Sequence, residues 1–308
     1  MRVTLIHNPK SGRGKWTGSE LERLLRDARH KVRYHSVKER GWKDVLLEPT
    51  DLVVVAGGDG TVGKVARRLA GRSVPMAVLP TGTANNIART LGQIEHPFKR
   101  LIRGWQSARV LKVDVGVAQG PWGERHFIEG VGLGVFADLL AKPPKQDIKK
   151  KKNPVERGLT RLQEIARRGQ PVEVSAILDG RDISGEYLML EAVSLPYVGP
   201  NLHLAPDIKV GDGHFAVIAV TKAERARLVE YLENWKDDRE HVGLLPSLRG
   251  RRLQLDWSGF PLHIDDKLMP KHNAKAKEIA GPVEVRIGCC TVEFLIPGDP
   301  KAKRAPRA

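Results

Sequence analysis

The first third of the chain alternates short apolar strands with amphipathic helices, and this alternation limits the possible fold more than any other feature. Strands are predicted at residues 3–7, 31–36, 52–56 and 74–79. Helices are predicted between them, one opened by a capping box of Ser19 and Glu22 and one covering residues 61–70. Because strands separated by helices need right-handed crossovers, they form a parallel sheet covered on both faces. We therefore predict a doubly wound α/β domain.

The loop after the third strand is Gly57-Gly58-Asp59-Gly60-Thr61, where an apolar strand passes directly into a helix. Glycines at such a junction allow a tight turn and bring backbone N–H groups close to an anion at the helix N-terminus. The carboxylate of Asp59 would repel a bare phosphate. We therefore interpret it as serving a metal-bound phosphate or a proton transfer, which indicates phosphoryl chemistry.

Two further polar loops follow strands of the same predicted sheet. One comprises residues 8–12, with Asn8, Ser11 and Gly12, and the other comprises residues 80–86, with Thr83 and Asn85. The carboxyl ends of parallel strands lie at one edge of a sheet, where α/β proteins bind their ligands. We expect the three loops to form the walls of a single nucleotide site.

After about residue 110 the pattern changes to many short strands joined by Gly, Pro or Asp turns. This pattern predicts a mostly antiparallel sheet, arranged as a β-sandwich. Two helices interrupt it, one covering residues 155–168 and one opened by a capping box of Thr221 and Glu224. The predicted fold is thus α/β plus all-β, with an α/β domain in residues 1–116 and a β-sandwich in residues 117–291. Residues 292–308 could return to the first domain.

The 308 residues carry a formal net charge of +16, which favours anionic partners. Residues 142–152 hold six lysines and residues 301–307 hold four basic residues, so we expect both segments to attract an anionic membrane surface. Nucleic acid has only this charge in its favour, and we expect no specific nucleic-acid partner. The adjacent Cys289 and Cys290 make no disulfide framework, which favours the cytoplasm, with peripheral association at the inner face of the membrane.

The three loops, in this order and spacing, resemble the diacylglycerol kinase catalytic-domain family of bacterial lipid kinases, which are related to sphingosine kinases and NAD kinases. The family signatures NPxSG, GGDGT and PxGTxND correspond to residues 8–12, 57–61 and 80–86. The resemblance continues at residues 114–116, 127–134 and 205–213, and it covers nearly the whole chain. It implies an N-terminal nucleotide domain and a C-terminal lipid domain, with the active site between them.

The resemblance further implies a kinase that uses ATP and Mg²⁺ to phosphorylate the hydroxyl of a diacylglycerol-like or sphingoid-like lipid. Asp59 would serve the magnesium–phosphate end of the site. The residues implied in nucleotide binding are Asn8, Ser11, Gly12, Ser36, Gly57, Gly58, Asp59, Gly60, Thr61, Thr83 and Asn85. Lys209, Asp212 and His214 match a family site where one carboxylate and two backbone carbonyls hold a structural magnesium ion.

Two departures from the family pattern leave the activity open. The family motif Asp-Gly-Glu is Asp265-Asp266-Lys267 in this chain, so a lysine stands where the family has its general base. Asp265 keeps the first carboxylate, and Asp266 could take the missing role. Asn86 replaces an aspartate beside the nucleotide. A nucleotide- or lipid-binding homologue without catalysis and a kinase for a soluble acceptor are the alternatives. Sheet edges in the second domain could also pair in a homodimer.

Overall fold

The computed structural model describes residues 1–141, 153–235, 245–270 and 280–298. Within these residues the chain forms seven α-helices and nineteen strands, and it divides into two units. Unit 1 comprises Met1–Val113 together with the C-terminal stretch that starts at Cys290, and unit 2 comprises Asp114–Cys289.

Unit 1 contains a parallel sheet with the strand order β2, β1, β3, β4. These strands are β1 (Arg2–His7), β2 (Lys31–Ser36), β3 (Leu52–Gly57) and β4 (Met76–Pro80). The α-helices of unit 1 are α1 (Gly18–Asp27), α2 (Asp59–Leu69), α3 (Asn86–Thr90) and α4 (Phe98–Gly104). Short 3-10 helices cover Ser11–Gly14, Asp44–Leu47 and Trp105–Ser107.

The apolar residues of β3 explain why this sheet is covered on both faces. All six residues of β3 are buried. Val54 and Ala56 belong to an apolar cluster with Leu21 of α1 and Leu101 of α4. Because side chains alternate along a strand, the equally buried Val55 points to the opposite face, and α2 packs on β3. The predicted doubly wound α/β architecture is confirmed.

The start of α1 differs from the prediction, which named Ser19 and Glu22 as the capping box. Thr17 is the N-cap residue, with φ −87° and ψ 156°. Its Oγ1 accepts the N–H of Glu20 at 3.3 Å, and the Glu20 carboxylate accepts the N–H of Thr17 at 2.8 Å. Ser19 already lies inside the first turn, where a serine cannot act as the cap. The same spacing two residues earlier in the chain therefore sets the helix start.

The chain enters unit 2 along β5 (Arg109–Gly120) and leaves it along β19 (Gly281–Ile296). The other strands are β6 (Gly123–Phe127), β7 (Gly130–Gly134), β8 (Val172–Val174), β9 (Ala176–Leu178), β10 (Arg181–Asp182), β11 (Gly185–Val193), β12 (Tyr197–Val198), β13 (Leu202–His203), β14 (Phe215–Thr221), β15 (Ser247–Gly250), β16 (Arg252–Trp257), β17 (Leu262–Ile264) and β18 (Lys267–Met269). The helices are α5 (Val135–Ala141), α6 (Pro154–Arg168) and α7 (Arg225–Asn234), and a 3-10 helix covers Lys222–Glu224.

Two antiparallel sheets enclose the core of unit 2. One has the strand order β15, β14, β11, β7, β17, β18, and the other includes β10, β9, β16 and the first part of β19. A single apolar cluster draws on both sheets, including Leu133 and Phe215 from the first and Leu255 and Val283 from the second. The helices α5, α6 and α7 cover a second cluster on the other face of the first sheet. The predicted β-sandwich is confirmed, and so is the capping box of Thr221 and Glu224.

The described part of the chain contains no helix that is both long and apolar enough to cross a membrane. The two basic segments, residues 142–152 and 301–307, lie outside the described residues.

Candidate active site

The loops that follow β1, β3 and β4 meet at the carboxyl ends of these strands. In the parallel register His7 pairs with Ala56, and Gly57 pairs with Pro80, so the three strands end side by side. Asn8 Nδ2 donates to Thr61 Oγ1 at 3.2 Å, which joins the first loop to the second. Ser11 Oγ lies 2.6 Å from Thr81 Oγ1, which joins the first loop to the third. The structure thus brings together the three loops that the sequence assigned to a single site.

Close backbone contact between the loops depends on glycine at three positions. A Cβ atom on Gly82 would lie 2.2 Å from the Cα of Gly58, and one on Gly12 would lie 2.3 Å from the carbonyl oxygen of Thr81. Gly12 also has φ +56°, and the next residue, Arg13, has φ +61°. A left-handed conformation is uncommon for arginine and persists where the surrounding structure imposes it. The glycines therefore allow the backbones of the three loops to pack against one another.

The side chain of Asp59 points to the start of α3. One carboxylate oxygen accepts the N–H of Ile87 at 2.9 Å. Burial raises the pKa of Asp59 above its ordinary value, and backbone N–H groups at the start of α3 offset that effect only in part. A carboxyl group kept in a site that disfavours its charge is typical of functional sites. Asp59 thus ties the second loop to the third.

The third loop is shaped by Asn85, which precedes α3 with φ +55° and ψ +43°. Its side-chain oxygen accepts the N–H of Gly82 at 2.9 Å, and its amide donates to the Gly82 carbonyl at 3.0 Å. Asparagine tolerates this left-handed conformation better than most residues. Thr83 is exposed at the tip of the loop, and Asn86 is buried as the first residue of α3.

Ser36 and Gly60 lie at the edges of this loop cluster. Ser36 ends β2 in register with His7, and its Oγ accepts the N–H of Lys38 at 3.1 Å. The hydroxyl of Ser36 therefore holds the local turn. Gly60 lies in the first turn of α2, which begins at Asp59.

A cavity of about 580 Å³ opens beside the first and third loops, and sequence reasoning missed most of its lining. Trp16 and Phe98 stack in its wall with ring centroids 4.8 Å apart. Lys15 and Lys99 also line it, beside Gly12 and Thr81 of the loops. The sequence signal was a tryptophan four residues after Gly12, but nothing in the pattern paired it with Phe98, because their contact depends on how α4 packs on α1.

In unit 2, Asp265 and Asp266 lie in the turn between β17 and β18, in different surroundings. The Asp265 carboxylate accepts the N–H groups of Ile128 at 3.1 Å and Glu129 at 2.8 Å, so it holds the segment before β7. The Asp266 carboxylate is exposed and lies 2.8 Å from the ammonium group of Lys267. Of the two acids, Asp266 is the one that faces solvent.

Lys209, Asp212 and His214 lie in the turn before β14, where the Asp212 carboxylate is paired with a guanidinium group of the chain. Asp212 Oδ2 accepts from the guanidinium of Arg249 at 2.7 Å, and Oδ1 accepts the N–H of His214 at 3.1 Å. Partial burial opposes ionisation of Asp212, but the hydrogen bond and charge of Arg249 outweigh it and lower the pKa of the carboxyl. Among the described residues, no cluster of three or more His, Cys, Asp or Glu side chains could hold a metal ion.

Comparison with known proteins gives a consistent match. Residues 2–118 match the family model of the diacylglycerol kinase catalytic domain. A diacylglycerol kinase of Bacillus subtilis (strain 168) is 27% identical over 240 residues, which cover 74% of this chain and 76% of that protein. A diacylglycerol kinase of Mycobacterium tuberculosis (strain ATCC 25618 / H37Rv) is 22% identical over 283 residues, which cover 86% of this chain and 88% of that protein.

The fold has a close counterpart among solved structures. The crystal structure of a diacylglycerol kinase from Bacillus anthracis str. Sterne matches with a TM-score of 0.69 and 19% identity, covering 96% of this chain and 97% of that one. At this identity the match shows the fold alone. Residues 2–118 are thus similar to the diacylglycerol kinase catalytic domain, and the solved structure shares the fold of nearly the whole chain.

Proposed function

We propose that this protein is a lipid kinase that transfers the γ-phosphoryl group of ATP to a lipid hydroxyl in the presence of Mg²⁺. The observation that carries the proposal is the joining of three glycine-containing loops at the carboxyl ends of β1, β3 and β4. Relatives that cover about three quarters of the chain are diacylglycerol kinases, which favours a diacylglycerol-like acceptor over a sphingoid-like one.

The nucleotide would bind in unit 1. The glycines Gly12, Gly58 and Gly82 let the three loops pack closely at the carboxyl ends of the strands, where phosphate groups commonly bind in α/β proteins. Lys15 adds positive charge beside the same loops. The neighbouring cavity of about 580 Å³ lies within the range of volumes that hold small ligands.

Magnesium would bind together with the nucleotide phosphates near Asp59. Mg²⁺ in kinases commonly takes only one or two carboxylates, its other ligands being phosphates and water, so a single buried acid fits this role. When bound, the ion would neutralise phosphate charge. The N–H groups at the start of α3 fix the orientation of the Asp59 carboxylate. Asp59 would therefore act in phosphoryl transfer through a position that is set before the substrate arrives.

The acceptor hydroxyl would be activated by Asp266. In the transfer, the lipid oxygen forms a bond to the γ-phosphorus, the bond to the β–γ bridging oxygen breaks, and the hydroxyl proton passes to the Asp266 carboxylate. Asp265 would position this turn through its bonds to Ile128 and Glu129. The ammonium group of Lys267, 2.8 Å from Asp266, would compete with the acceptor hydroxyl for the Asp266 carboxylate.

The lipid would be reached at an anionic membrane surface. The formal net charge of +16 favours such a surface, and the lysines of residues 142–152 and the basic residues of 301–307 would contribute to the attraction. The protein would then act from the cytoplasm as a peripheral enzyme.

The decisive experiment measures transfer of labelled γ-phosphate from ATP to lipid by the full chain with Mg²⁺. Vesicles of phosphatidylglycerol carry either diacylglycerol or sphingosine, and a third reaction offers glycerol without vesicles. We expect labelled product with diacylglycerol, and none after chelation of Mg²⁺. Labelled glycerol would instead indicate a soluble acceptor. No product in any reaction, with the fold verified by circular dichroism, would falsify the lipid kinase proposal.

A second candidate function is nucleotide binding without transfer. It is favoured by one observation, the pairing of the only exposed acid of the described Asp265–Lys267 turn with Lys267. This candidate predicts that ATP raises the thermal stability of the protein while no labelled lipid forms.

A further inference from the structure

The turn formed by Lys209, Asp212 and His214 is already paired with a positively charged side chain, that of Arg249 in β15. Arg249 Nη2 lies 2.7 Å from Asp212 Oδ2, and the two side chains form an ion pair. The other carboxylate oxygen accepts the N–H of His214 at 3.1 Å. Both carboxylate oxygens of Asp212 therefore already accept hydrogen bonds from groups of this chain.

A second guanidinium group adds to the positive charge at the turn. Arg251 Nε donates to His214 Nε2 at 3.0 Å, and Arg249 Nη2 lies 2.8 Å from the other ring nitrogen. A magnesium ion binds carboxylate oxygen at about 2.1 Å, so an ion on Asp212 would lie within roughly 5 Å of the Arg249 guanidinium. At that separation like charges repel, although solvent weakens the repulsion because the Arg249 side chain is 62% exposed.

The position of Arg249 is set by strand pairing. Arg249 lies in β15 directly opposite Ala216 of β14, and Gly250 lies opposite Phe215. Strand pairing therefore holds Arg249 next to the residues that come directly after the Asp212 turn. The turn is held from its other side by Asp114, whose Oδ2 accepts the N–H of Gly213 at 2.8 Å. Backbone pairing and a buried carboxylate thus place the turn where the guanidinium reaches it.

We propose that Arg249 replaces the structural magnesium ion of the family at this turn, so that unit 2 of this protein folds and stays folded without a divalent metal. The ion pair supplies the positive charge that would otherwise neutralise Asp212. The inference concerns the stability of unit 2 and does not depend on the proposed kinase activity.

The test measures thermal unfolding of the full chain, without nucleotide, in EDTA and in excess Mg²⁺. The variants are Arg249→Gln, the same with Asp212→Asn, and the matched control Arg252→Gln, which removes an exposed arginine paired with Glu284 at 2.7 Å. We expect the wild type and Arg252→Gln to have the same Tm in both buffers. Arg249→Gln should lose stability in EDTA and regain roughly 2–4 °C of Tm in Mg²⁺. The double variant should lose that response, because the carboxylate ligand is gone.

Two results would overturn the proposal. One is a saturable rise in the Tm of the wild type with Mg²⁺ that Asp212→Asn abolishes, since the ion would then bind despite Arg249. The other is an Arg249→Gln variant with the Tm of the wild type and no response to Mg²⁺. If Arg249→Gln does not fold in EDTA, Arg249→Lys decides the question: it should keep the charge and ignore Mg²⁺, and a response to Mg²⁺ in this variant would contradict the proposal.

Discussion

Asp59 in unit 1 and Asp265 in unit 2 make the same kind of bond in different surroundings. Each carboxylate accepts backbone N–H groups from a neighbouring loop, Asp59 from the start of α3 and Asp265 from the segment before β7. Asp59 lies among glycines that leave no room for a Cβ atom. Asp265 lies in a partly exposed turn, followed directly by the ion pair of Asp266 and Lys267.

This difference distinguishes two motifs of the chain, the loop of residues 57–61 in unit 1 and the turn of residues 265–267 in unit 2. In unit 1 the motif residues are connected to one another, so a change at any of them disturbs the whole site. In unit 2 the family motif Asp-Gly-Glu has become Asp265-Asp266-Lys267. The turn keeps the first acid, Asp265, whereas a lysine stands at the position of the family's glutamate. We infer that substitutions in unit 1 cause large losses of activity, whereas substitutions in the turn of unit 2 change the rate in either direction.

Asp59→Asn should have the largest effect. We expect the rate of transfer to lipid to fall on the order of 10³-fold, because the amide that replaces the preorganised carboxyl group cannot carry charge beside the metal-bound phosphate. Burial raises the pKa of Asp59, so the folded state favours the protonated form and stability falls as pH rises above the ordinary value of 3.8. The variant should lack this fall. Asp51→Asn, at an exposed acid paired with Arg2, is the matched control and should keep full activity. An Asp59→Asn variant within tenfold of wild-type activity would contradict the role of Asp59.

Gly82→Ala should have the second largest effect, through backbone packing. The added Cβ would lie 2.2 Å from the Cα of Gly58, so the second and third loops must separate. Overpacking of this kind costs about 1–3 kcal/mol, and we expect KM for ATP to rise about tenfold to 100-fold with it. Gly158→Ala, in the interior of α6, is the control, because its Cβ would meet only Pro200 at 3.3 Å. Steady-state kinetics check the result, and an unchanged KM would show that the loops tolerate separation.

Lys267→Glu should increase the rate of transfer to lipid by about tenfold, whereas the two previous substitutions impair the enzyme by larger factors. The substitution removes the ammonium group that lies 2.8 Å from Asp266 and restores a carboxylate at the position of the family base. We expect faster transfer with little change in stability, because both side chains are exposed. Lys112→Glu, at another exposed lysine, makes the same change of charge and should not alter the rate. A wild type without transfer and an active Lys267→Glu variant would favour the nucleotide-binding candidate.

The sequence predicted the elements that repeat a local pattern and missed those that depend on distant contacts. The fully buried strand β3 and the loop around Asp59 follow from residues next to each other in the chain, and both were predicted. The contact of Trp16 with Phe98 and the ion pair of Asp212 with Arg249 join residues far apart in sequence. No periodicity or spacing encodes such pairs, because they arise only when helices pack or strands align.

The same limit applies to the bonds of the motif residues. Neighbouring residues in the chain indicated chemical roles for Asp59 and Asp265. The sequence could not predict that both carboxylates hold backbone N–H groups of other loops, since their partners lie 28 and about 137 residues away. The residue types were sufficient to predict a site, whereas the hydrogen bonds that join its loops are visible only in the folded structure.

Glu191→Gln should have the smallest effect, a change in how the unfolding free energy depends on pH. It tests the protonation of the buried pair of Glu191 and His263, which lies beside the turn of unit 2. His263 Nε2 lies 2.8 Å from Glu191 Oε2, and its other ring nitrogen lies 3.0 Å from the Asp265 carbonyl. Both side chains are buried. Burial raises the pKa of Glu191, and although burial alone would lower the pKa of His263, the charge and hydrogen bond of Glu191 outweigh it and raise that pKa too.

Because Glu191 raises the pKa of His263, the pair contributes stability that is lost as pH rises. This contribution is present below the ordinary value of 6.5 for histidine and is lost as pH rises through the raised pKa of His263. We expect the unfolding free energy of the wild type to fall from pH 6 to pH 9, and the fall to be absent in Glu191→Gln. Calorimetry across this range provides the measurement, with Glu173→Gln in β8 as the control for loss of an exposed acid in the same unit. Equal slopes in the wild type and Glu191→Gln would mean that the pair of Glu191 and His263 does not cause the pH dependence, which would contradict the coupling inferred from their 2.8 Å contact.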